Sequence, residues 1–217
     1  MPTISGRNVK VEVALTFASS INPTAVTKAD PPSVTLTSHG LSDGDTGYWT
    51  TTSGMMQLNE QAAVINQVDA NTFTLLGLDS TNWDTYVQSG SLFFEAATWA
   101  TISEAASYTV GGGDANPLDD PRLLDNKLRQ VAGFNSPENL SIDVSSQEVD
   151  GTAMAFVINK ARNGASILVK ITKVSSGQIL RVAYGVPSVP GESVRAGQLG
   201  TGSFNIIVPG YVVKPNA

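Results

Sequence analysis

Along the last third of the chain the spacing of apolar residues changes twice, and each change marks an element. Leu140, Ile142 and Val144 alternate with polar neighbours, which predicts a strand with one buried face. Ser145 and Glu148 follow with the S-x-x-E spacing of a capping box, where each side chain satisfies an orphan backbone donor. Val149, Ala153, Phe156 and Val157 then recur at helical spacing, with Met154, Ile158 and Ala161 broadening the stripe. This predicts a helix over 148–163, ended by Asn163-Gly164. Gly151 costs such a helix about 1 kcal/mol relative to Ala, so packing must hold it together. Phe156 and Val157 are expected to be buried on the element that follows. After Gly164 the period becomes two. Ile167, Val169 and Ile171 alternate with Leu168, Lys170 and Thr172; Ser175-Ser176-Gly177 turns the chain; Leu180, Val182 and Tyr184 alternate with Ile179, Arg181 and Ala183. These two runs read as a hairpin. A Pro- and Gly-rich loop over 187–202 leads to a closing strand with Phe204, Ile206 and Val208 on one face. One helix on one antiparallel sheet leaves the second face and the edges of that sheet uncovered.

Upstream, Val9, Val11, Val13, Leu15 and Phe17 alternate with polar or small residues and predict a first strand, preceded by a polar arm over 1–8. Asp30-Pro31-Pro32 breaks the chain. Residues 33–87 then form a series of short β runs: Val34 and Leu36, Tyr48-Trp49-Thr50, 61–67 and 71–76. Turn signals at spacings of about ten residues, among them His39-Gly40-Leu41-Ser42-Asp43-Gly44-Asp45, mark a small all-β unit. Gln88-Ser89-Gly90 closes it, and Leu92, Phe93, Phe94, Trp99 and Ile102 are expected to resume the host domain. The division is therefore 1–32 with 88–217 as a β-sandwich domain and 33–87 as an inserted module, placed on the periphery. From 104 to 138 the pattern dissolves into a loop containing Gly111-Gly112-Gly113, Asn116-Pro117 and Asp119-Asp120-Pro121. Its one periodic piece, Leu123, Leu124, Leu128 and Val131, predicts a short helix after Pro121. Loops beyond about 15 residues are usually functional or disordered. This one is expected to be mobile and to serve function. The fold class is mainly β: a β-sandwich or β-barrel with one flanking α-helix and an inserted small all-β module.

Composition narrows the chemistry. Charged residues make up only 15% of the chain against a usual share of about 25%, and 20 glycines suit strands and turns. A net charge of -6 and a pI near 4.7 argue against a protein that grips nucleic acid by its phosphates. With no cysteine there are no disulfides and no thiolate metal sites. Residues 1–17 lack a basic segment followed by an apolar core, so no secretory leader is expected. No apolar run approaches the ~20 residues that would span a bilayer. His39 is the sole histidine and has no metal-ligating partner in sequence, which favours a structural turn residue. Asp43-Gly44-Asp45 lacks the remaining ligands of a calcium loop, and the glycine triplet lacks the Lys-Ser/Thr of a phosphate cradle. Trp49, Trp83 and Trp99 could stack on a sugar, although buried or docking tryptophans are more common. The reading is of a protein without a catalytic, cofactor or metal site, and not an enzyme.

The order of elements resembles that of the tail tube proteins of bacteriophages with long non-contractile tails: a first strand, a long loop, a strand into a helix, a hairpin, a loop and a closing strand. The middle block, with Val34-Thr35, His39-Gly40-Leu41, Gly44, Gly54-Met55, Leu58-Asn59, Asn71-Thr72-Phe73-Thr74-Leu75 and Asp79-Ser80-Thr81, resembles a small β module recurring in phage structural proteins. The resemblance implies a virion protein assembled in the host bacterial cytoplasm, with subunits closing into hexameric rings that stack into a hollow tail tube. Its implied partners are further copies of itself and the tape measure, tail terminator and baseplate proteins, with phage DNA passing through unbound and no membrane involved. Residues 104–138, marked by Gly111, Gly112, Gly113, Leu123, Leu124, Leu128 and Val131, are the expected inter-ring contact. Val149, Ala153, Phe156 and Val157 are the expected helix-to-sheet contact. A terminator, connector or baseplate ring protein is the alternative within the same class, and a carbohydrate-binding β-sandwich is a more distant one.

Overall fold

The computed structural model describes residues 9–17, 20–51, 53–88, 90–94, 98–103, 105–119, 130–145, 152–193 and 200–215. In chain order its elements are β1 (Val9–Ala14), β2 (Ala25–Val26), β3 (Ser33–Thr35), β4 (Thr46–Thr51), β5 (Ala62–Asp69), β6 (Thr72–Leu75), β7 (Gly90–Phe94) and β8 (Trp99–Thr101). They continue as β9 (Ala105–Gly111), β10 (Ala115–Asp119), β11 (Gln130–Asn135), β12 (Glu138–Val144), α1 (Thr152–Arg162), β13 (Ile167–Lys173), β14 (Ile179–Pro187), β15 (Gly191–Ser193) and β16 (Thr201–Val208). The predicted mainly β class with one helix is what the chain adopts.

The larger sheet runs β8-β1-β13-β14-β16-β12-β9, with β15 added to β16, and every pairing is antiparallel. Its two end strands, β8 and β9, are neighbours in sequence. A flat sheet of that width would hold its end strands roughly 29 Å apart, whereas the chain from Thr101 to Ala105 reaches about 14 Å at full extension. The sheet therefore curls until its two halves face each other as a sandwich. Between the halves lies a core of Val11, Val13, Ile142, Val169, Ile171, Phe204, Ile206 and Val208, all buried. The alternation read in 140–144, 167–171 and 204–208 supplies this core.

Helix α1 lies over β14, β1 and β8. Its buried residues are Ala153, Met154 and Val157, so it packs on one strand of the expected hairpin and on β1 besides. Phe156 is only partly buried, at the flank of the stripe, with the Lys160 ammonium 5.3 Å from its ring centre. The contact centres one residue further round the helix than Phe156, which makes Met154 the larger buried group. Gly164 has φ +62°, and Ala165 and Gly164 donate backbone hydrogen bonds to Lys160 and Ala161 (2.9 and 3.2 Å). This pairing is the Schellman termination expected of Asn163-Gly164. Val149 and Glu148 lie outside the described residues, and the described helix spans 152–162 rather than 148–163.

A second, six-stranded sheet runs β2-β3-β6-β5-β4-β7. It takes in Ala25–Val26 before the proline break and Gly90–Phe94 after Gln88-Ser89. Gly90–Phe94 pairs with β4, so Leu92-Phe93-Phe94 do not return to the first sheet as the sequence suggested. The fully buried Leu92 gains its cover from the middle unit's core, a partnership that a run of three apolar residues cannot reveal. The face of the larger sheet expected to stand uncovered is in fact occupied. Ala14, Leu168 and Val182 point away from the sandwich core and share one cluster with Trp49, Ile65, Phe73 and Leu92 of the second sheet. Tyr48 and Tyr184 stack across this seam, ring centres 4.0 Å apart and planes 3° from parallel. Burial pushes both phenols up from their ordinary pKa, Tyr184 the further, with the neighbouring Tyr48 adding to it.

Candidate assembly surface

Within the stretch expected to be a loop over 104–138, the described residues are largely strand. Ala105–Gly111 form β9, which pairs along β12 from Asn139↔Gly111 to Val144↔Ala105. Gly112 and Gly113, at φ +83° and +80°, then turn the chain. A Cβ on Gly112 would stand 2.2 Å from the Pro137 carbonyl oxygen, so this turn needs glycine both for its backbone angles and for space. Gly113 donates to the Ser136 carbonyl (3.1 Å) and Ser136 to that of Asp114 (2.8 Å), closing the base of a two-stranded arm of β10 and β11. All five residues of β10 are exposed, Leu118 at 55%. Val131 lies on β11 opposite Leu118, in a strand and not in the short helix predicted for it. Extended pairing with β10 satisfies its backbone where a helix would have needed support along its length. Leu123, Leu124 and Leu128 lie outside the described residues. The glycines predicted as site residues thus form the base of the arm, while Ala153, Phe156 and Val157 belong to the helix packing and not to any site.

β9 also has an open side. It ends the larger sheet, with β12 as its one neighbour among the described strands. Its sequence, Ala-Ala-Ser-Tyr-Thr-Val-Gly, carries no charge and no proline over seven residues. The other ends of the two larger sheets are guarded in ways natural proteins favour. β2 has two residues and β8 and β15 have three each. β7 is bridged by Ile21, which exchanges backbone hydrogen bonds with Leu92 (3.0 and 2.9 Å).

The solvent face of β9, β12 and β16 is uniform. Register places Ser107, Asp143 and Ser203 in one row, Thr109, Ser141 and Asn205 in the next, and Gly111, Asn139 and Ile207 in a third. Its one charge, Asp143, accepts a 2.5 Å hydrogen bond from the Ser107 hydroxyl. No cation stands in these rows.

The residues weighed for catalytic or ligand chemistry have structural duties. His39 is buried; its Nδ1 accepts from the Leu41 amide (3.0 Å), which leaves Nε2–H to donate to the Asp69 carbonyl (2.8 Å) and ties the ring into the turn. The Asp43 and Asp45 carboxylates accept from the Gln67 and Ser42 amides (2.6 and 2.8 Å) and so hold the turn together. Trp49 and Trp83 are buried at 0% and 8% exposure, closed to a sugar, and the Lys170 ammonium stands 3.9 Å from the centre of the Trp99 ring. Among the described residues no group of three His, Cys, Asp or Glu side chains could hold a metal, and no helix is long and apolar enough to cross a membrane. Sequence reasoning missed β9, whose pattern is diluted by Ala, Ser and Thr, and missed the segment after β16, which is described below.

A curled sandwich with one helix, an unguarded edge strand and a projecting two-stranded arm is the build of a subunit made to be joined to others. The chain belongs to the phage tail tube protein family, whose model, described as phage tail tube protein, TTP, matches residues 53–194. The match takes in most of the middle unit, the arm, β12, the helix and the β13–β14 hairpin. No curated protein matches the chain. The protein is a structural subunit of a bacteriophage tail.

Proposed function

We propose that the subunit closes into hexameric rings that stack into the hollow conduit through which phage DNA is delivered. The observation that carries the reading is the unguarded edge of β9, a seven-residue strand whose outward-pointing N–H and C=O groups have no ladder partner among the described strands and can take a strand of the next copy. Head-to-tail addition of that kind closes into a ring when the rotation permits, and closure removes the exposed edge. The arm of β10 and β11, exposed along its first strand, supports a second contact between successive rings. Rows of Ser, Thr and Asn without a cation suit a surface past which a polyanion slides, since lysines or arginines there would bind phosphates and release counterions. Assembly in the host cytoplasm around the tape measure protein, between the baseplate and the terminator, completes the proposal.

Electron microscopy of the purified protein tests it. Long hollow tubes with hexameric cross-sections are expected, and single rings that never stack would favour a terminator or baseplate component instead. Ser107→Lys with Thr109→Lys, which places the charges of a guarded edge on β9, is expected to leave a folded monomer. Normal tubes from that variant would overturn the role given to β9.

A further inference from the structure

The chain does not end its structural work at β16. Residues 209–215 run as an extended strap between three parts of the molecule. Val213 exchanges both backbone hydrogen bonds with Val182 of β14 (3.0 and 2.8 Å), and its side chain, 1% exposed, enters the core shared with the middle unit. Two residues earlier, the fully buried Gln61 side chain takes a hydrogen bond from the Tyr211 amide (2.8 Å) and gives one to the Tyr211 carbonyl (3.1 Å). The fit is tight on both sides of that contact. A Cβ on Gly210 would lie 2.3 Å from Gln61 Oε1, and one on Gly77 would lie 2.5 Å from the Lys214 carbonyl oxygen. The intervening Val212 turns the other way. Its side chain packs on the sandwich core, and its amide donates to the Glu138 carboxylate at 2.7 Å.

Glu138 stands where the arm departs. It begins β12, its side chain lies beside Gly113, and the preceding Pro137 carbonyl is the group that confines Gly112. A groove lined by Gly113, Ser136, Glu138, Gly210, Tyr211 and Met56 marks the junction of arm, strap and middle unit.

We infer that the strap fixes the direction in which the arm leaves the subunit, and that Glu138 is the positioning residue through which it does so. A hydrogen bond to a carboxylate is roughly twice as strong as one between neutral groups. The strap itself cannot swing, because Gln61 and Val182 hold it on either side of Val212. The arm base is thereby referred to the middle unit as well as to its own sheet. The inference rests on the reading of the arm as a stacking contact for its consequence in the tube, but not for its test in the free subunit.

The absence of cysteine allows a spin-label pair at Leu118→Cys on the arm and Met56→Cys on the middle unit, read by pulsed electron resonance on the full chain. One narrow distance is expected in the parent and in Glu138→Gln, which keeps the acceptor. Glu138→Ala should replace it with a broad distribution while the unfolding transition stays cooperative. Val212→Pro, which removes the donor and leaves the carboxylate, should broaden it likewise. A narrow, unshifted distance in either variant that folds overturns the inference, as does a failure of Glu138→Gln to restore the narrow distance. Tube formation is then scored separately. A broadened arm that still stacks normally would discard the arm as the inter-ring contact and leave the positioning role of Glu138 standing.

Discussion

Two stretches of similar composition meet opposite fates in this fold. Residues 111–119 and 209–215 are both rich in Gly and Pro. The first turns on two left-handed glycines and runs outward as a strand exposed at every residue. The second is pinned by Gln61, Val182 and Glu138 and carries a valine that is 1% exposed. The difference lies in what waits opposite the backbone. A segment becomes a strap when a distant element offers fixed donors and acceptors for its amides, and an arm when it can pair only with itself. Composition sets the ability to turn and leaves that destination open.

The contrast is broken most strongly from the strap side. Gln61→Leu strips the Tyr211 amide and carbonyl of their buried partners. Two unsatisfied backbone groups should cost about 2–4 kcal/mol of subunit stability, measured by chemical denaturation. A loss within 0.5 kcal/mol of zero would mean the strap is ornamental. The seam beside the strap offers a pH test. Tyr184 holds its proton more tightly when folded than the ordinary phenol value of 10.0, so its contribution is complete below about pH 10 and is lost as pH rises toward the higher folded value. Tyr184→Phe should therefore flatten the decline of the unfolding midpoint above about pH 10 relative to the parent. An unaltered alkaline decline would place its origin elsewhere. On the arm side the expected effect on stability is smallest. Leu118→Ala should stay within about 0.5 kcal/mol of the parent, because a side chain 55% exposed has little burial to lose, yet it should weaken tube formation at a given protein concentration. Full stacking by that variant would return the arm to the status of a passive projection.

What could be read from the sequence follows from where burial is one-sided. Leu140, Ile142 and Val144, then Phe204, Ile206 and Val208, announce their strands because solvent lies on the opposite face. Ile167–Lys173 is covered on both faces, by the sandwich core through Val169 and by the middle unit through Leu168, so its alternation understates its burial. The short strands β3 to β6 show in the spacing of turns, but β2 and β7 do not, since their apolar content is brief and their partners are not signalled locally. β9 escaped notice because its outward Ser107 and Thr109 and inward Ala105 and Tyr108 differ little in polarity. The arm's glycines were found by composition, while their confinement by Pro137 needed the third dimension.

The pairing of β1 with β13 sets an order of events during synthesis. Glu12 and Thr172, which meet across these strands, are 160 residues apart in the chain. The middle unit, by contrast, pairs strands between Ala25 and Phe94 only. Contacts between near neighbours form faster than those that must close a long loop, and a chain leaves the ribosome from its N-terminus. All the strand partners of the middle unit are therefore synthesised before β13 and β14 are made, although Leu168, Val182 and Val213 complete its core later. The middle unit presents the hydrophobic wall that Leu168 and Val182 will later meet. A block read from the sequence as an insertion is thus, in order of synthesis, the earlier of the two surfaces that meet at Leu168 and Val182.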